Sequence, residues 1–372
     1  MSPGPCEALE LWAGPECSVV RVGEQWRDQL KSTGHAGRLS DLDAIASIGA
    51  KKIRYPVLWE HVAPDSPELC DWSWADARLE RIRSLGLAPI VGLIHHGSGP
   101  SYTDLLDSAL PVLLAGYAAR VAERYPWVEY YTPVNEPLTT ARFSGLYGLW
   151  HPHEKNDRAF VRALLNECRG TVLAMGAIRK INPAAKLVQT EDIGYVFSTP
   201  HLARQAAFEN QRRWLSFDLL CGWVTKAHPL WRYLRRSGAS CADLEWFQKN
   251  PCPPDIIGAN YYITSERFLD HRTEHYPEGV IGGNGKDIYA DIEAVRVLAA
   301  GTAGLERLLS ELWSRYRIPI AVTEAHIGCT REEQLRWLAE IWQGATAARD
   351  QGADIRAVTL WSVFGAHDWN SL

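Results

Sequence analysis

The chain has 372 residues, 46% of them hydrophobic and 22% charged, and its formal net charge is −5. A chain of this composition can bury a full core, and without a basic run or stripe it is not expected to bind nucleic acid. No segment is apolar over the length that a bilayer requires, so we expect no membrane association. The first residues lack the basic and apolar regions of a signal peptide, and the eight cysteines show no Cys-x-x-Cys pair or metal spacing. We therefore expect free thiols in a reducing cytoplasm.

Short apolar segments alternate with longer amphipathic segments along the chain. Strands are predicted at residues 9–12, 52–58, 88–95, 129–135, 186–190, 256–262, 318–323 and 355–361. Helices are predicted near residues 39–48, 75–85, 110–124, 158–181, 204–223, 305–316 and 332–351. The strands are mostly apolar on both faces, which predicts a single-domain (β/α)₈ TIM barrel over residues 1–372. A doubly wound open sheet is the competing architecture, but no glycine-rich phosphate turn follows the first strand.

Two irregularities interrupt this pattern. Residues 264–301, after the sixth predicted strand, are polar and glycine-rich over a length unusual for a loop, and they are a candidate lid on the active face. The pattern also lacks an eighth helix, and a barrel without it would expose apolar surface on strands one and eight. Either the chain was cut from a longer protein, or another surface covers this gap.

Two glutamates, Glu136 and Glu324, stand at the ends of the fourth and seventh predicted strands. Side chains at these positions of a barrel point into one central pocket. A retaining glycosidase needs such a pair, with one carboxyl group as acid/base and the other as nucleophile. To protonate a leaving oxygen, Glu136 needs a raised pKa, which partial burial and the other carboxylate would supply. Either glutamate alone is better explained as an exposed acid at a strand end.

The proposed nucleophile Glu324 must stay ionised to attack an anomeric carbon, so it needs a cation and hydrogen-bond donors nearby. Arg54 is the candidate cation, because an arginine in an apolar strand is costly without an anionic partner. The alternative is that its side chain pairs in the helix layer. Tyr262 is a candidate donor, although a core tyrosine is the commoner case. Asn135, beside Glu136, is a candidate ligand of the hydroxyl next to the anomeric carbon.

Further candidates lie at the ends of strands three and eight. His95 closes strand three and is a candidate sugar ligand. No histidine has metal-ligand spacing, so neither a metal nor another cofactor is predicted. Trp361 and Trp369 bracket strand eight and are candidates for the floor and wall of a sugar subsite, with Asp368 binding hydroxyls. Core packing is the alternative for either tryptophan alone.

Six segments, in chain order, resemble motifs of glycoside hydrolase family 1, the β-glucosidase-like enzymes of the retaining (β/α)₈ clan. They are Arg54 with Trp59, Leu93-Ile-His-His96, Val134-Asn-Glu-Pro137, Gly258-Ala-Asn-Tyr-Tyr262, Val322-Thr-Glu-Ala-His-Ile-Gly328 and Trp361-Ser-Val-Phe-Gly-Ala-His-Asp-Trp369. The resemblance covers nearly the whole chain. It implies a retaining β-glycosidase with Glu136 as acid/base and Glu324 as nucleophile. It also assigns His95, Asn260 and Tyr262 to the site.

The departures from the family pattern lie in substrate recognition. The family's sugar-binding Gln near strand one aligns with Val20, its strand-eight Glu with Asp368, and the aromatic residue before that Glu with His367. His96 stands where the family has Trp. A site built around hydroxyls binds poorly when its partners are mismatched, so we expect another sugar than glucose. A 6-deoxy sugar and the glycoside of an unusual natural product are candidates.

Three other interpretations remain open. Acceptors that outcompete water would make the enzyme a transglycosidase. A barrel that binds a sugar or glycoconjugate without cleaving it would explain the altered recognition, although such a binder has little need for two close carboxylates. Another (β/α)₈ enzyme using two acids is expected to carry metal ligands or a phosphate loop, which the sequence lacks. The resemblance extends to bacterial domains that precede a sugar-nucleotide-reductase-like domain, so a fused or separate reductase-like partner is a hypothesis by analogy.

Overall fold

The computed structural model describes residues 8–367. The strands are β1 (Glu10–Gly14), β2 (Val19–Val22), β3 (Gln25–Asp28), β4 (Lys52–Pro56), β5 (Ala88–His95), β6 (Tyr130–Asn135), β7 (Lys186–Asp192), β8 (Val196–Ser198), β9 (Ile256–Asn260), β10 (Arg267–Asp270), β11 (Ile281–Gly283), β12 (Ile288–Glu293), β13 (Ile320–Glu324) and β14 (Ile355–Trp361). The α-helices are α1 (Gln29–Ser32), α2 (Asp41–Ser47), α3 (Trp59–Val62), α4 (Ser73–Ser84), α5 (Leu110–Arg124), α6 (Pro137–Ala141), α7 (Asp157–Ile181), α8 (Ala203–Arg212), α9 (Leu215–Leu220), α10 (Trp231–Arg236), α11 (Cys241–Lys249), α12 (Gly304–Tyr316) and α13 (Arg331–Asp350).

Eight parallel strands close into a barrel in the order β1, β4, β5, β6, β7, β9, β13 and β14, and β14 pairs back to β1. The predicted (β/α)₈ barrel is therefore confirmed, and each of the eight predicted strands overlaps one barrel strand. Six of the seven predicted helices are each observed as one helix. The remaining prediction, at 204–223, is observed as two helices, α8 and α9. None of the helices in the described chain is long and apolar enough to cross a membrane.

One level of the barrel interior is filled by apolar side chains. Five buried residues from β1, β5, β7, β13 and β14 form one cluster: Trp12, Ile90, Val188, Ala321 and Ala357. Packing of this kind makes the interior of a barrel a core rather than a pore.

Two smaller sheets accompany the barrel. The strands β2 and β3 form an antiparallel hairpin directly after β1. Residues 264–301 contain β10, β11 and β12, which join β8 in a four-stranded sheet of order β11-β12-β10-β8. The candidate lid is thus ordered as part of a sheet rather than as a bare loop, and its function as a lid stays a prediction.

The eighth helix is absent from the part of the chain that the structure describes. After β14, residues 362–367 form a turn and irregular backbone. On the two strands next to this gap, Leu11 and Leu360 are half-buried, while Val358 is fully buried. The apolar surface expected on strands one and eight is therefore only partly exposed.

A buried carboxyl group in α3 predicts a pH-dependent stability. Glu60 is 7% exposed, and neither of its carboxyl oxygens accepts a hydrogen bond of good geometry among the described residues. Burial raises the pKa of Glu60 to about 7. Because its pKa in the folded state exceeds that in the unfolded state, the free energy of unfolding falls as pH rises from about 4.5 to about 7.

Replacing Glu60 with glutamine is expected to remove this dependence. At pH 8 the wild-type protein carries a cost of about 3 kcal/mol for ionising Glu60, and the variant does not. Denaturant unfolding at pH 5 and pH 8 gives the free energy of unfolding of both proteins. Glu60→Gln should be more stable than the wild type at pH 8 but not at pH 5. Equal gains or losses at the two pH values would contradict a titrating Glu60.

Candidate active site

The two glutamates identified from the sequence lie at the same end of the barrel. Glu136 follows the last residue of β6, and Glu324 is the last residue of β13. The side chains are buried, with 4% of Glu136 and 2% of Glu324 exposed. Interpreting either one as an exposed acid at a strand end is therefore wrong.

Glu136 occupies an unusual backbone conformation at the junction between β6 and α6. Its φ is 45° and its ψ is 64°, in the left-handed region that side chains other than glycine rarely adopt. Pro137 begins α6 directly afterwards and offers no N–H to continue the strand. The Leu138 N–H donates to Glu191 Oε1 at 2.7 Å, which ties this turn to the end of β7. The local fold thus fixes the backbone from which the Glu136 side chain projects.

The surroundings of Glu136 favour its neutral form. Burial raises its pKa well above the ordinary value, and the negative charges of Glu324, Asp192 and Glu191 raise it further. Asn260 Nδ2 donates to Glu136 Oε1 at 2.5 Å, and His96 Nε2 lies 3.6 Å from Oε2. A neutral carboxyl group at neutral pH can donate a proton.

The surroundings of Glu324 differ, because a cation and a hydroxyl group contact it. Arg54 Nη1 lies 2.7 Å from Glu324 Oε1, and the Tyr262 hydroxyl donates to Oε2. Burial raises the pKa of Glu324, Glu16 adds to the rise, and Arg54 is the largest opposing influence. Burial also raises the pKa of Tyr262 well above its ordinary value, which keeps the phenol protonated as a donor.

Arg54 connects the two halves of the site. Its Nη1 also donates to the Thr323 carbonyl at 2.9 Å, and its Nη2 donates to Asn135 Oδ1 at 2.6 Å. The guanidinium lies 4.4 Å from the centre of the Trp361 ring. The alternative in which Arg54 pairs in the helix layer is therefore wrong.

Two amide side chains are held in one orientation by their neighbours. Asn135 Oδ1 accepts from Arg54 and, at 2.8 Å, from Thr190 Oγ1, so its Nδ2 faces His95 Nε2 at 3.2 Å and His96 Nε2 at 3.3 Å.

Asn260 Oδ1 accepts from Thr323 Oγ1 at 2.6 Å, so its Nδ2 faces Glu136. Each amide thereby presents its donor side to the site.

His95 and Trp361 form an aromatic wall. Their rings stack with centroids 5.2 Å apart and an interplanar angle of 12°. Burial lowers the pKa of His95 well below its ordinary value, so its imidazole is neutral. The position of the Trp361 ring also requires a glycine at residue 14, because a Cβ on Gly14 would lie 2.6 Å from a carbon of the ring.

Eight of the ten residues predicted for the site thus lie in one connected group: Arg54, His95, Asn135, Glu136, Asn260, Tyr262, Glu324 and Trp361. The other two, Asp368 and Trp369, lie outside the described residues. Within residues 8–367, no group of three or more His, Cys, Asp or Glu side chains is arranged to hold a metal ion.

Sequence reasoning missed three contributors to the site. Glu16, just after β1, accepts a hydrogen bond from Trp361 Nε1 at 3.2 Å. Thr190 and Glu191, at the end of β7, hold Asn135 and Leu138. All three are polar residues at the carboxyl ends of barrel strands, which is the same signal that identified the two glutamates.

Glu191 predicts a measurable effect on pH dependence. Burial raises its pKa to about 8, and its charge contributes to the raised pKa of Glu136. Glu191→Gln removes that charge while leaving an oxygen for the Leu138 N–H. We expect the pKa of Glu136 to fall by about half a unit, because one of the negative charges that raise it is gone. Titration of the Glu136 carboxyl group by carbon NMR in this variant and in Glu60→Gln checks this; an unchanged pKa in Glu191→Gln would contradict it.

Comparison with known proteins identifies relatives of the fold. No known protein-family model matches the chain. A β-glucosidase from Thermotoga maritima in complex with methoxycarbonyl-substituted glucoimidazole is 16% identical, with a TM-score of 0.75, over 96% of this chain and 89% of that one. The family 1 β-glucosidase from the same organism is 15% identical, with a TM-score of 0.74, over 95% and 88% of the two chains. The AHE enzyme from Alicyclobacillus herbarius is 18% identical, with a TM-score of 0.72, over 89% and 78%. At these identities the similarity establishes the fold, which is that of β-glucosidases.

Proposed function

We propose that the chain is a retaining β-glycosidase. The observation that carries the proposal is the contrast between two buried glutamates at one end of the barrel. Among the described residues no arginine or lysine contacts Glu136, and burial raises its pKa well above the ordinary value, whereas Glu324 is contacted by Arg54 and Tyr262. Burial raises the pKa of both groups, but Arg54 favours the ionised form of Glu324, and such a difference between two carboxyl groups suits an acid and a nucleophile.

In the proposed reaction, Glu136 donates its proton to the leaving glycosidic oxygen while Glu324 attacks the anomeric carbon. The bond from the anomeric carbon to the leaving oxygen breaks as the bond to Glu324 forms. Glu136, now ionised, then takes a proton from water, whose oxygen displaces Glu324 and releases the sugar with its original anomeric configuration.

The surrounding residues take supporting roles in this proposal. Arg54 and Tyr262 hold the Glu324 carboxylate and stabilise its negative charge before attack. Asn135 presents its amide donor to the sugar hydroxyl beside the reacting carbon, and His95 presents its imidazole to hydroxyls. Trp361 supplies an apolar face for the sugar ring. Asp368 and Trp369 are proposed to complete the sugar subsite.

The sugar is proposed to differ from glucose, with a 6-deoxy sugar and the glycoside of an unusual natural product as candidates. Val20, the residue that aligns with the family's sugar-binding Gln, is 1% exposed and apolar, so it offers no hydrogen bond to a hydroxyl. A cytoplasmic location is proposed as well. Among the described residues, cysteines 17, 70, 168, 221, 241, 252 and 329 are free thiols, as expected in a reducing compartment.

Release of nitrophenol from aryl β-glycosides tests the proposal. The panel comprises the glucoside, galactoside, fucoside, mannoside, xyloside and rhamnoside, with Glu324→Ala assayed alongside. Turnover by the wild type and loss in the variant are expected, with the fastest substrate naming the sugar class. Added alcohols distinguish hydrolysis from transfer, because a transglycosidase would form alkyl glycosides faster than free sugar. A folded wild type that binds these sugars and turns none over would instead indicate a sugar-binding barrel.

A further inference from the structure

A third carboxylate, Glu16, enters the candidate site from the segment between β1 and β2. Its side chain is 4% exposed. Glu16 and the proposed nucleophile lie on either side of one histidine atom: His95 Nε2 is 3.9 Å from Glu16 Oε1 and 4.0 Å from Glu324 Oε1. The proposed mechanism assigns no step to Glu16.

The hydrogen bonds of Glu16 leave one acceptor position open. Oε1 accepts from the Cys17 N–H at 3.0 Å, the Ser18 N–H at 2.9 Å and the Ser18 hydroxyl at 2.5 Å. Oε2 accepts from Trp361 Nε1 at 3.2 Å and, among the described residues, from no other donor. A carboxylate oxygen has two lone pairs, so Oε2 retains one toward the site.

Among the described residues, no arginine or lysine contacts the Glu16 carboxyl group. Four donors hold its oxygens, but they are backbone N–H groups, a hydroxyl group and an indole. Arg54 donates to Glu324, Thr323 and Asn135 instead, and the buried His95 is neutral. Of these two carboxyl groups Arg54 contacts that of Glu324, so the open acceptor position of Glu16 favours a ligand that donates hydrogen bonds.

We propose that Glu16 is a specificity-determining residue, whose open Oε2 position accepts a hydrogen bond from a donor substituent of the bound sugar, hydroxyl or ammonium. Its carboxylate selects against sugars that carry a negative charge, such as uronic acids. The inference rests on the proposed function for the location of the sugar. A buried acceptor that is left without a donor costs binding free energy, so a sugar that lacks the matching donor is expected to bind Glu16 more weakly.

The test compares wild type, Glu16→Gln and the control Glu60→Gln, another buried glutamate, in binding and in turnover. Calorimetry measures binding of a monosaccharide series: the parent sugar of the best aryl substrate (or each sugar of the panel), its monodeoxy analogues, its amino-sugar counterpart and its uronic acid. Aryl glycosides of the same series give kcat/KM. Circular dichroism confirms that each variant is folded.

For the wild type we expect one monodeoxy analogue to bind roughly 10- to 100-fold more weakly than the parent, and the uronic acid to bind weakest. In Glu16→Gln we expect the affinity differences of the deoxy analogue and of the uronic acid from the parent sugar to shrink at least several-fold. In Glu60→Gln both differences should be unchanged. If the wild type binds the amino sugar more tightly than the parent sugar, and Glu16→Gln does not, the donor is an ammonium group rather than a hydroxyl group.

The two proposals fail in different ways. Turnover with unchanged selectivity in Glu16→Gln overturns the role of Glu16 and leaves the glycosidase intact. Sugar binding that depends on Glu16, without turnover of any glycoside, overturns the glycosidase and keeps the binding role. A wild type that neither binds nor cleaves any member of the series overturns both.

Discussion

Replacing Glu324 with alanine is expected to lower kcat on the best aryl β-glycoside by roughly 10⁴-fold or more, because the proposed covalent intermediate can no longer form. Glu324→Ala leaves an open space at the reacting face. Azide can then attack the anomeric carbon directly, so we expect added azide to restore turnover and to give an α-glycosyl azide. Product analysis by NMR checks the configuration.

The same experiment on Glu136 separates the two roles. Glu136→Ala is expected to lower kcat/KM about 10²- to 10⁴-fold for poor leaving groups and far less for dinitrophenol, which needs no proton. Azide should then intercept the intermediate and give a β-glycosyl azide. Identical azide products from the two variants would contradict the assignment of acid/base and nucleophile, and a comparable loss in Glu60→Gln would indicate that buried glutamates act through folding alone.

Replacing Arg54 with methionine is expected to have the second largest effect. Arg54 is 5% exposed and Glu324 3% exposed in their side chains, and removing one partner of such a pair leaves an uncompensated carboxylate. Breaking a buried pair costs about 3–5 kcal/mol when the remaining charge stays ionised. Glu324 can escape part of this cost by taking up a proton, so the effect divides between stability and pH dependence.

The pH dependence has a defined sign. The proposed nucleophile must be ionised, so we expect activity to be lost as pH falls through the pKa of Glu324. Arg54 lowers that pKa, and without it the pKa rises further, so the acid limb of kcat in Arg54→Met is expected at higher pH than in wild type. Arg54→Lys, which keeps the charge but loses the fork of donors, should lie between the two.

Unfolding measurements complete this test. The double variant Arg54→Met with Glu324→Gln removes both charges, so it should be more stable than Arg54→Met alone at pH 8. Arg54→Met with unchanged stability and an unmoved acid limb would contradict a paired, buried Arg54.

The barrel and most of its site follow from one physical regularity. In a parallel barrel, a polar residue placed just after an apolar strand cannot enter the core and reaches the shared pocket. This regularity located Glu136, Glu324 and Asn135, and it explains why Arg54, within an apolar strand, has an anionic partner inside the barrel. Arg54 and Tyr262, the partners of Glu324, were candidates from the sequence itself, whereas Asn260, the partner of Glu136, was identified only through the resemblance to a family motif.

Other features depend on tertiary contacts that a linear pattern does not contain. The left-handed backbone of Glu136 is maintained by bonds from β7, which is distant in sequence. In residues 264–301, β12 pairs with β10 and β11, and β10 also pairs with β8, which lies after barrel strand five and far away in sequence. The predicted helix at 204–223 is divided at Arg213 and Trp214, and Arg213 Nη1 donates to the Ile193 and Gly194 carbonyls after β7.

Glu16 illustrates the limit of strand-end reasoning in a different way. It follows β1 after Gly14 and a proline, so its position was visible, but nothing local distinguishes it from a surface acid. In the folded chain it accepts a hydrogen bond from the indole of Trp361, which is 345 positions away in the sequence. A residue whose role is fixed by so distant a partner is identified only in the folded chain.

Trapping of the covalent intermediate tests the central proposal most directly. The protein is incubated with the activated 2-deoxy-2-fluoro derivative of the best aryl β-glycoside, in which the fluorine slows release more than attack. Intact-mass spectrometry should then show one added fluoroglycosyl group, peptide mapping should place it on Glu324, and Glu324→Gln should gain none. An unlabelled wild-type protein that still cleaves the parent glycoside, or a label on another residue, would contradict Glu324 as the nucleophile of a retaining glycosidase.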